Sequence, residues 1–420
     1  MNALLLYAHP ISENAPTIME HVRSFEKYSR YSVLELNTAF GFPRFLSSQQ
    51  FAIIILHYSL FGSYPFGLSK KFITFLKRQD AAVKIAFFQD EYQYVPQRHA
   101  VINSVGVDLL YSLLDPSHHD EVYYKHTTVK RAFHTLTGYV DDELIEKAKI
   151  VAKPFADRQV DVGYRARQLP FWMGKGSQEK TEIADGFIEN ARSLDLCLDI
   201  KTAEGDRIYG HKWYEFVAEC RAMIGVEAGV SVFDIEDKIR PAVVAYLRKH
   251  PDAGFSEVQT LFFAPLENRL VYRTISPRIF EMAALGVVMI LFEGEYQGVV
   301  KPNVHYIALK KDFSNFGSVV EQLGNEDLVK RLTDKAFADL IASGAYSYKK
   351  FIAEFDAQVM PYISDVAAST ADILALRAAV SRFAKRRTVL LSLKTPLHRK
   401  WPGKSFLRRF LVSAGILERV

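Results

Sequence analysis

Arg278 and Glu281 lie three residues apart in a segment, 274–306, that opens Thr-Ile-Ser-Pro-Arg-Ile-Phe-Glu. Residues at that spacing share one face of a helix. Ser276 suits an N-cap and Pro277 a first helical position, so the segment predicts a short helix that stops at Gly286. A cation in the first turn opposes the helix macrodipole, unless an anion sits at the same end. A guanidinium beside free backbone N–H groups binds phosphate, and a carboxylate on the same face can accept two hydroxyls of a ribose. An ordinary i,i+3 ion pair on a solvated face uses the same two residues.

A second candidate is Gln89-Asp90-Glu91-Tyr92, which follows the apolar run 85–88. Asp90 or Glu91 could take a proton from an attacking hydroxyl; either could equally cap the turn that follows the strand. His9 and His57 also fall at predicted strand ends, where a lone histidine is more often a packed side chain. His118-His119-Asp120 has the composition of a metal site without its spacing, because adjacent side chains point apart; we read it as a loop.

The elements that would hold these groups alternate. In residues 1–153, apolar strands are predicted at 3–8, 32–36, 51–57, 84–89 and 108–113, with helices at 17–28 and 69–79. A connecting helix is expected at 143–152 and a hinge at 153–157. From 154 to 363 the alternation resumes. Strand 159–165, containing Gly163 and ending at Arg165, leads to a loop with Gly174-Lys175-Gly176 and then a helix. A strand, a glycine and lysine loop and a helix can cradle a diphosphate. Further strands are predicted at 196–200, 222–226, 260–264 and 287–292, with an inserted helical segment at 234–250. Glu227 follows one of these strands beside small residues that let a ligand approach the backbone. This is the layout of an α/β fold with two Rossmann-like, doubly wound parallel-sheet domains. No GxGxxG or Walker loop is present.

The sequence Ser-Pro-Arg-Ile-Phe-Glu-Met-Ala-Ala-Leu-Gly, the apolar strand after it, and a loop ending in His305-Tyr306-Ile307 resemble the donor-site segment of GT-B glycosyltransferases. The resemblance is to the group 1 type and its spore-maturation-like relatives, and it covers about 155–345. It implies two domains facing a cleft, with a nucleotide-sugar donor in the C-terminal one. Glu281 matches the second Glu of the family's paired acids, which contacts the donor ribose. Arg273 stands where the first Glu would fall, so the closer match is the variant reading Arg-x-Phe-Glu. Arg165 and Lys175 match in type the basic residues that open the family's donor domain. The implied reaction transfers a sugar from a nucleoside diphosphate to a glycan, lipid-linked or protein acceptor, in bacterial surface polysaccharide or glycoconjugate synthesis. A sugar-nucleotide epimerase, or a non-catalytic scaffold of the same fold, are the alternatives. No metal or cofactor is expected, since there is no Asp-x-Asp motif.

Composition fits this reading. Of 420 residues, 49% are hydrophobic, enough for two cores. No apolar run reaches the roughly 20 residues of a membrane span, and residues 1–8 read as a strand rather than a signal peptide. Two cysteines at unrelated spacing suggest a reducing cytosol. The net charge of +5 is concentrated at the end: 382–420 holds eleven Lys and Arg against one acid. We read 364–381 as a helix returning to the first domain, and 382–420 as a basic amphipathic tail suited to an anionic membrane surface. With no nucleic-acid module recognised, no nucleic-acid partner is expected.

Overall fold

The computed structural model describes residues 1–9, 16–363 and 372–400, and their side chains except those of Pro16 and 391–400. The N-terminal sheet is built from β1 (Asn2–Tyr7), β2 (Ser32–Asn37), β3 (Ile53–Leu56), β4 (Val83–Phe87), β5 (Leu109–Ser112) and β6 (Arg131–His134). All pairs are parallel, in the order β2-β1-β3-β4-β5-β6. The strands are apolar on both faces because both faces are covered. Leu4 and Leu6 enter one core with Ile54 and Leu110, while Ala3 and Leu5 enter the other with Ile53 and Ile85. Strand β6 and the helix Val95–Val105 were not expected from the sequence.

The C-terminal sheet contains β7 (Val160–Arg165), β8 (Leu198–Lys201) and β9 (Cys220–Gly225), followed after an excursion by β12 (Val288–Phe292) and β13 (Ile307–Leu309). Its order is β13-β12-β9-β7-β8, again parallel. The chain order reverses between β1 and β3 in one sheet and between β7 and β9 in the other. Crevices open at the carboxyl ends of strands where that happens.

The excursion is an antiparallel pair, β10 (Ala228–Val232) and β11 (Glu267–Thr274), enclosing the helices Ile239–Lys249 and Phe255–Phe262. The predicted strand at 260–264 is therefore the end of a helix, and the strand lies just after it. A short apolar run such as Leu261-Phe262-Phe263 fits either period. The pair leans on the N-terminal domain: Val230, Phe233, Leu270 and Tyr272 join that domain's core, and Tyr272 meets Tyr92 at 5.4 Å between ring centroids.

The chain crosses back to the first domain earlier than the 364–381 expected. The helix Tyr348–Val359 already packs Phe351 and Phe355 into the N-terminal core. Buried Asp356 accepts from Ser29 Oγ and the Arg30 N–H, each at 2.7 Å. The next helix, Ile373–Lys400, buries Ile373 and Leu376 in the other N-terminal core, and Arg377 donates to the Val33 carbonyl at 2.9 Å. Most of the expected membrane-binding tail, including Trp401 and Phe406, lies outside the described residues. Among the described residues no helix is long and apolar enough to cross a membrane. Gln297 ties the two domains together: its amide nitrogen donates to His134 Nε2 (2.9 Å) and the Thr135 carbonyl (3.3 Å), and its oxygen accepts from the Ile275 N–H (3.0 Å).

Candidate active site in the interdomain cleft

A cavity of about 740 Å³ runs between the two domains, at the C-terminal strand ends. From the N-terminal domain it is lined by Thr17, Asp90, Tyr92 and Gln93; from the C-terminal domain by Arg165, Arg167, Lys180, Trp213, Arg278 and Glu281.

The helix carrying Arg278 and Glu281 is two turns long, Arg278–Ala284. Ser276 lines the cleft but makes no capping hydrogen bond, and Pro277 stands at the cap position. The capped helix end expected from the sequence does not form, so the cleft chemistry rests on side chains. Arg278 lies over the Trp213 ring at 4.7 Å and donates to the Arg165 carbonyl. The same indole donates its N–H to Glu281 Oε2 at 2.7 Å. One buried tryptophan thus orients both residues, and Glu281 Oε1 has no hydrogen-bond partner among the described residues. Burial raises the Glu281 pKa above the usual carboxylate value, partly offset by the indole N–H and by Arg278.

Lys180 was not singled out from the sequence. It occupies the buried stripe of the helix Lys175–Asn190, four residues after Gly176 and four before Ala184. A lysine on an otherwise buried helical face is the signal that could have found it. Its ammonium has no ion-pair partner among the described residues. Burial, and then Arg278, push its pKa down to about 8, against an opposing pull from Asp90. Arg167, exposed at the cleft wall, adds a third cation. Three cations with few protein counter-charges form a strong anion site.

Asp90 is exposed in the cleft with φ +50°, and its carboxylate accepts from Tyr92 OH at 3.2 Å. Glu91 does not face the cleft. It is 1% exposed and accepts from Ser112 Oγ (2.9 Å), the Leu113 N–H (2.8 Å) and Tyr123 OH. Its role is to tie β4 to β5, which rules it out as a base acting in the cleft.

Four expected donor contacts are also turned elsewhere. Arg273 is ion-paired with Glu179 and Glu227, and Lys311 adds a bond to Glu179 at 2.7 Å. Glu227 also accepts the Tyr296 N–H at 2.9 Å. Arg273, Glu179 and Glu227 are largely buried, Lys311 is exposed, and none of the four lines the cleft. Gly163 is small because a Cβ there would come within 2.3 Å of Cys220 Sγ. At the start of the helix Lys175–Asn190, the Lys175 N–H donates to the Glu267 carboxylate (2.8 Å) and the Gly176 N–H to Ser231 Oγ (2.8 Å). The protein's own acid occupies the helix end proposed for a phosphate, and Lys175 is exposed outside the cleft. Arg165 lines the cleft but is committed to Asp199, at 2.8 Å, and stacks on Phe216 at 4.2 Å. Lys175→Ala should therefore leave nucleoside diphosphate affinity unchanged in a titration, whereas a tenfold loss would return that residue to the site.

No family profile and no curated protein matches the chain. Solved structures do. An α-glucosyltransferase in complex with UDP-glucose and DNA containing an abasic site aligns with TM-score 0.53 at 11% identity, over 86% of this chain and 99% of that one. An α-glucosyltransferase with UDP and a 13-mer DNA gives TM-score 0.51, with the same identity and coverage. A glycosyltransferase from Rickettsia africae ESF-5 aligns at 0.46 and 11% identity, over 87% and 99%. The two α-glucosyltransferase structures overturn the expectation of no nucleic-acid partner, since both are complexes with DNA. With two doubly wound parallel sheets enclosing a cleft at their switch points, the chain has the GT-B fold, and its structural neighbours are glycosyltransferases of GT-B type.

Proposed function

We propose that the protein is a glycosyltransferase that takes a sugar from a nucleoside diphosphate donor, with a UDP-sugar as the first donor to test. The observation that carries this reading is the convergence of Arg278, Lys180 and Arg167 with Glu281 in one interdomain cleft. Arg278 and Lys180 hold the diphosphate and stabilise the charge it gains as the glycosidic bond breaks. Because these cations supply the neutralising charge, the reaction as proposed needs no metal. Glu281, held by Trp213, accepts the ribose hydroxyls through Oε1. Asp90, from the opposite wall, is the base for the acceptor hydroxyl if the transfer inverts configuration. The proposed acceptor is a glycan, lipid-linked or protein hydroxyl entering against the N-terminal domain, in bacterial surface polysaccharide or glycoconjugate synthesis.

The ribose contact is tested by comparing UDP with 2′,3′-dideoxy-UDP. A hydrogen bond to a charged group is worth roughly 1.5–3 kcal/mol, so the wild type should prefer UDP by about tenfold or more. Glu281→Ala should abolish that preference while leaving dideoxy-UDP affinity near the wild-type value. An intact preference in Glu281→Ala would remove the residue from ribose binding.

A further inference from the structure

Outside the cation site, the most elaborately built feature lies next to Asp90. Arg98 is 2% exposed and has no hydrogen-bonded acid partner among the described residues. It donates instead to the carbonyls of Gln93 (2.9 Å), Phe61 (3.1 Å), Asp90 (3.2 Å) and Gln89 (3.3 Å), and lies 4.9 Å from the Phe88 ring. One guanidinium therefore fixes two loops, the one after β3 and the one after β4. The second holds two non-glycine residues in the left-handed region, Asp90 (φ +50°) and Tyr94 (φ +56°). Such backbone persists only where its surroundings enforce it, and it gathers at binding sites.

What the two loops present is a group of rings. Tyr64, 56% exposed, faces Tyr94 at 5.9 Å with 31° between the planes, and Phe66 meets Tyr64 edge-on at 5.4 Å. The C-terminal domain touches one of them: Arg240 sits 4.3 Å above the Tyr94 ring. That guanidinium is already ion-paired with Asp237 at 2.7 Å, and Arg98 is buried beneath the loops, so neither offers an unpaired cation at the surface of the patch. The rings continue into the cleft wall through Gln93 and Tyr92.

We propose that Tyr64, Phe66 and Tyr94 form an acceptor platform that binds an uncharged oligosaccharide, with its terminal hydroxyl directed towards Asp90. The exposed face of Tyr64 and the open edges of the half-buried Phe66 and Tyr94 offer apolar contact to the C–H faces of sugar rings, while the tyrosine hydroxyls and the paired Arg240 supply polar contacts at the edge. A polyanion would need unpaired cations here. The proposal rests on the glycosyltransferase reading for the role of Asp90 but not for the binding itself.

The test is a printed array of neutral oligosaccharides, probed with the full chain in saturating UDP. The wild type should bind a defined subset of glycans. Tyr64→Ala combined with Tyr94→Ala should weaken that binding at least tenfold, with UDP affinity and thermal unfolding unchanged, and Tyr64→Phe combined with Tyr94→Phe should restore most of it. No glycan bound by the wild type, glycan binding indifferent to the alanine pair, or a thymidine oligonucleotide held through the same rings would each overturn the proposal. Glycan binding through these rings by a protein that ignores UDP would refute the donor reading and leave the platform standing.

Discussion

Arg278→Ala should lower kcat/KM for UDP-sugar turnover by about 100-fold or more, the scale on which a single donor to developing charge acts. Part of the loss appears in ground-state UDP binding, where a charge-assisted hydrogen bond is worth about 2 kcal/mol, or roughly thirtyfold. The rest belongs to the transition state, because the diphosphate is more negative as it leaves than while bound to sugar. The side chain is well placed for this: Trp213 supports one face of the guanidinium, and the Arg165 carbonyl fixes its angle. Arg278→Lys keeps the charge but loses the planar fork and much of the stacking, so it should fall between the two. Steady-state kinetics with circular dichroism as a folding control is the measurement. An unchanged kcat/KM in Arg278→Ala would detach the diphosphate from this wall of the cleft.

Lys180→Met should move affinity and stability in opposite directions. In the fold, burial and the neighbouring Arg278 bring the Lys180 pKa down to about 8, from about 10.5 in the unfolded chain. Between those values the unfolded state holds more protons, so this group's contribution to stability rises with pH there. Below about pH 8 the buried ammonium is a standing cost to the fold. Methionine removes that cost at similar size, so the melting temperature at pH 7 should rise, with the gain shrinking towards pH 10. UDP affinity at pH 7 should meanwhile fall by about tenfold or more, as an unpaired cation is lost from the anion site. Wild-type affinity should itself weaken as pH passes 8, and Lys180→Arg should flatten that profile. A side chain that costs stability where it aids binding is expected at functional positions. Equal melting temperatures with equal UDP affinities would contradict both halves.

The architecture was legible because strand periods are local. Strands such as β3 and β12 are uninterrupted apolar runs, and the alternation with helices announces a parallel sheet without any long-range information. The path of the chain between domains was less legible. Residues 348–359 carry a helical pattern that does not say which domain they cover, and the pair β10–β11 packs on a domain whose sequence lies elsewhere.

At the site, Arg278 and Glu281 stood out because a cation in a first turn and an acid one turn later share a face. Glu91 and Asp90 are neighbours with the same chemistry, yet one is sealed beneath β5 and the other open to the cleft; only tertiary contacts separate them. Lys175 carried the familiar glycine-flanked signature, but Glu267, 92 residues away, fills the helix end it marks. Lys180 and Trp213 were missed because neither belongs to a motif. Each matters through a partner that the fold brings near.

The most direct test of the account is a structure of the protein with UDP bound. The account places diphosphate oxygens within hydrogen-bond distance, about 3 Å, of both the Arg278 guanidinium and the Lys180 amine, with the ribose against Glu281. UDP seated away from these two cations, or held instead against Lys175, would contradict it.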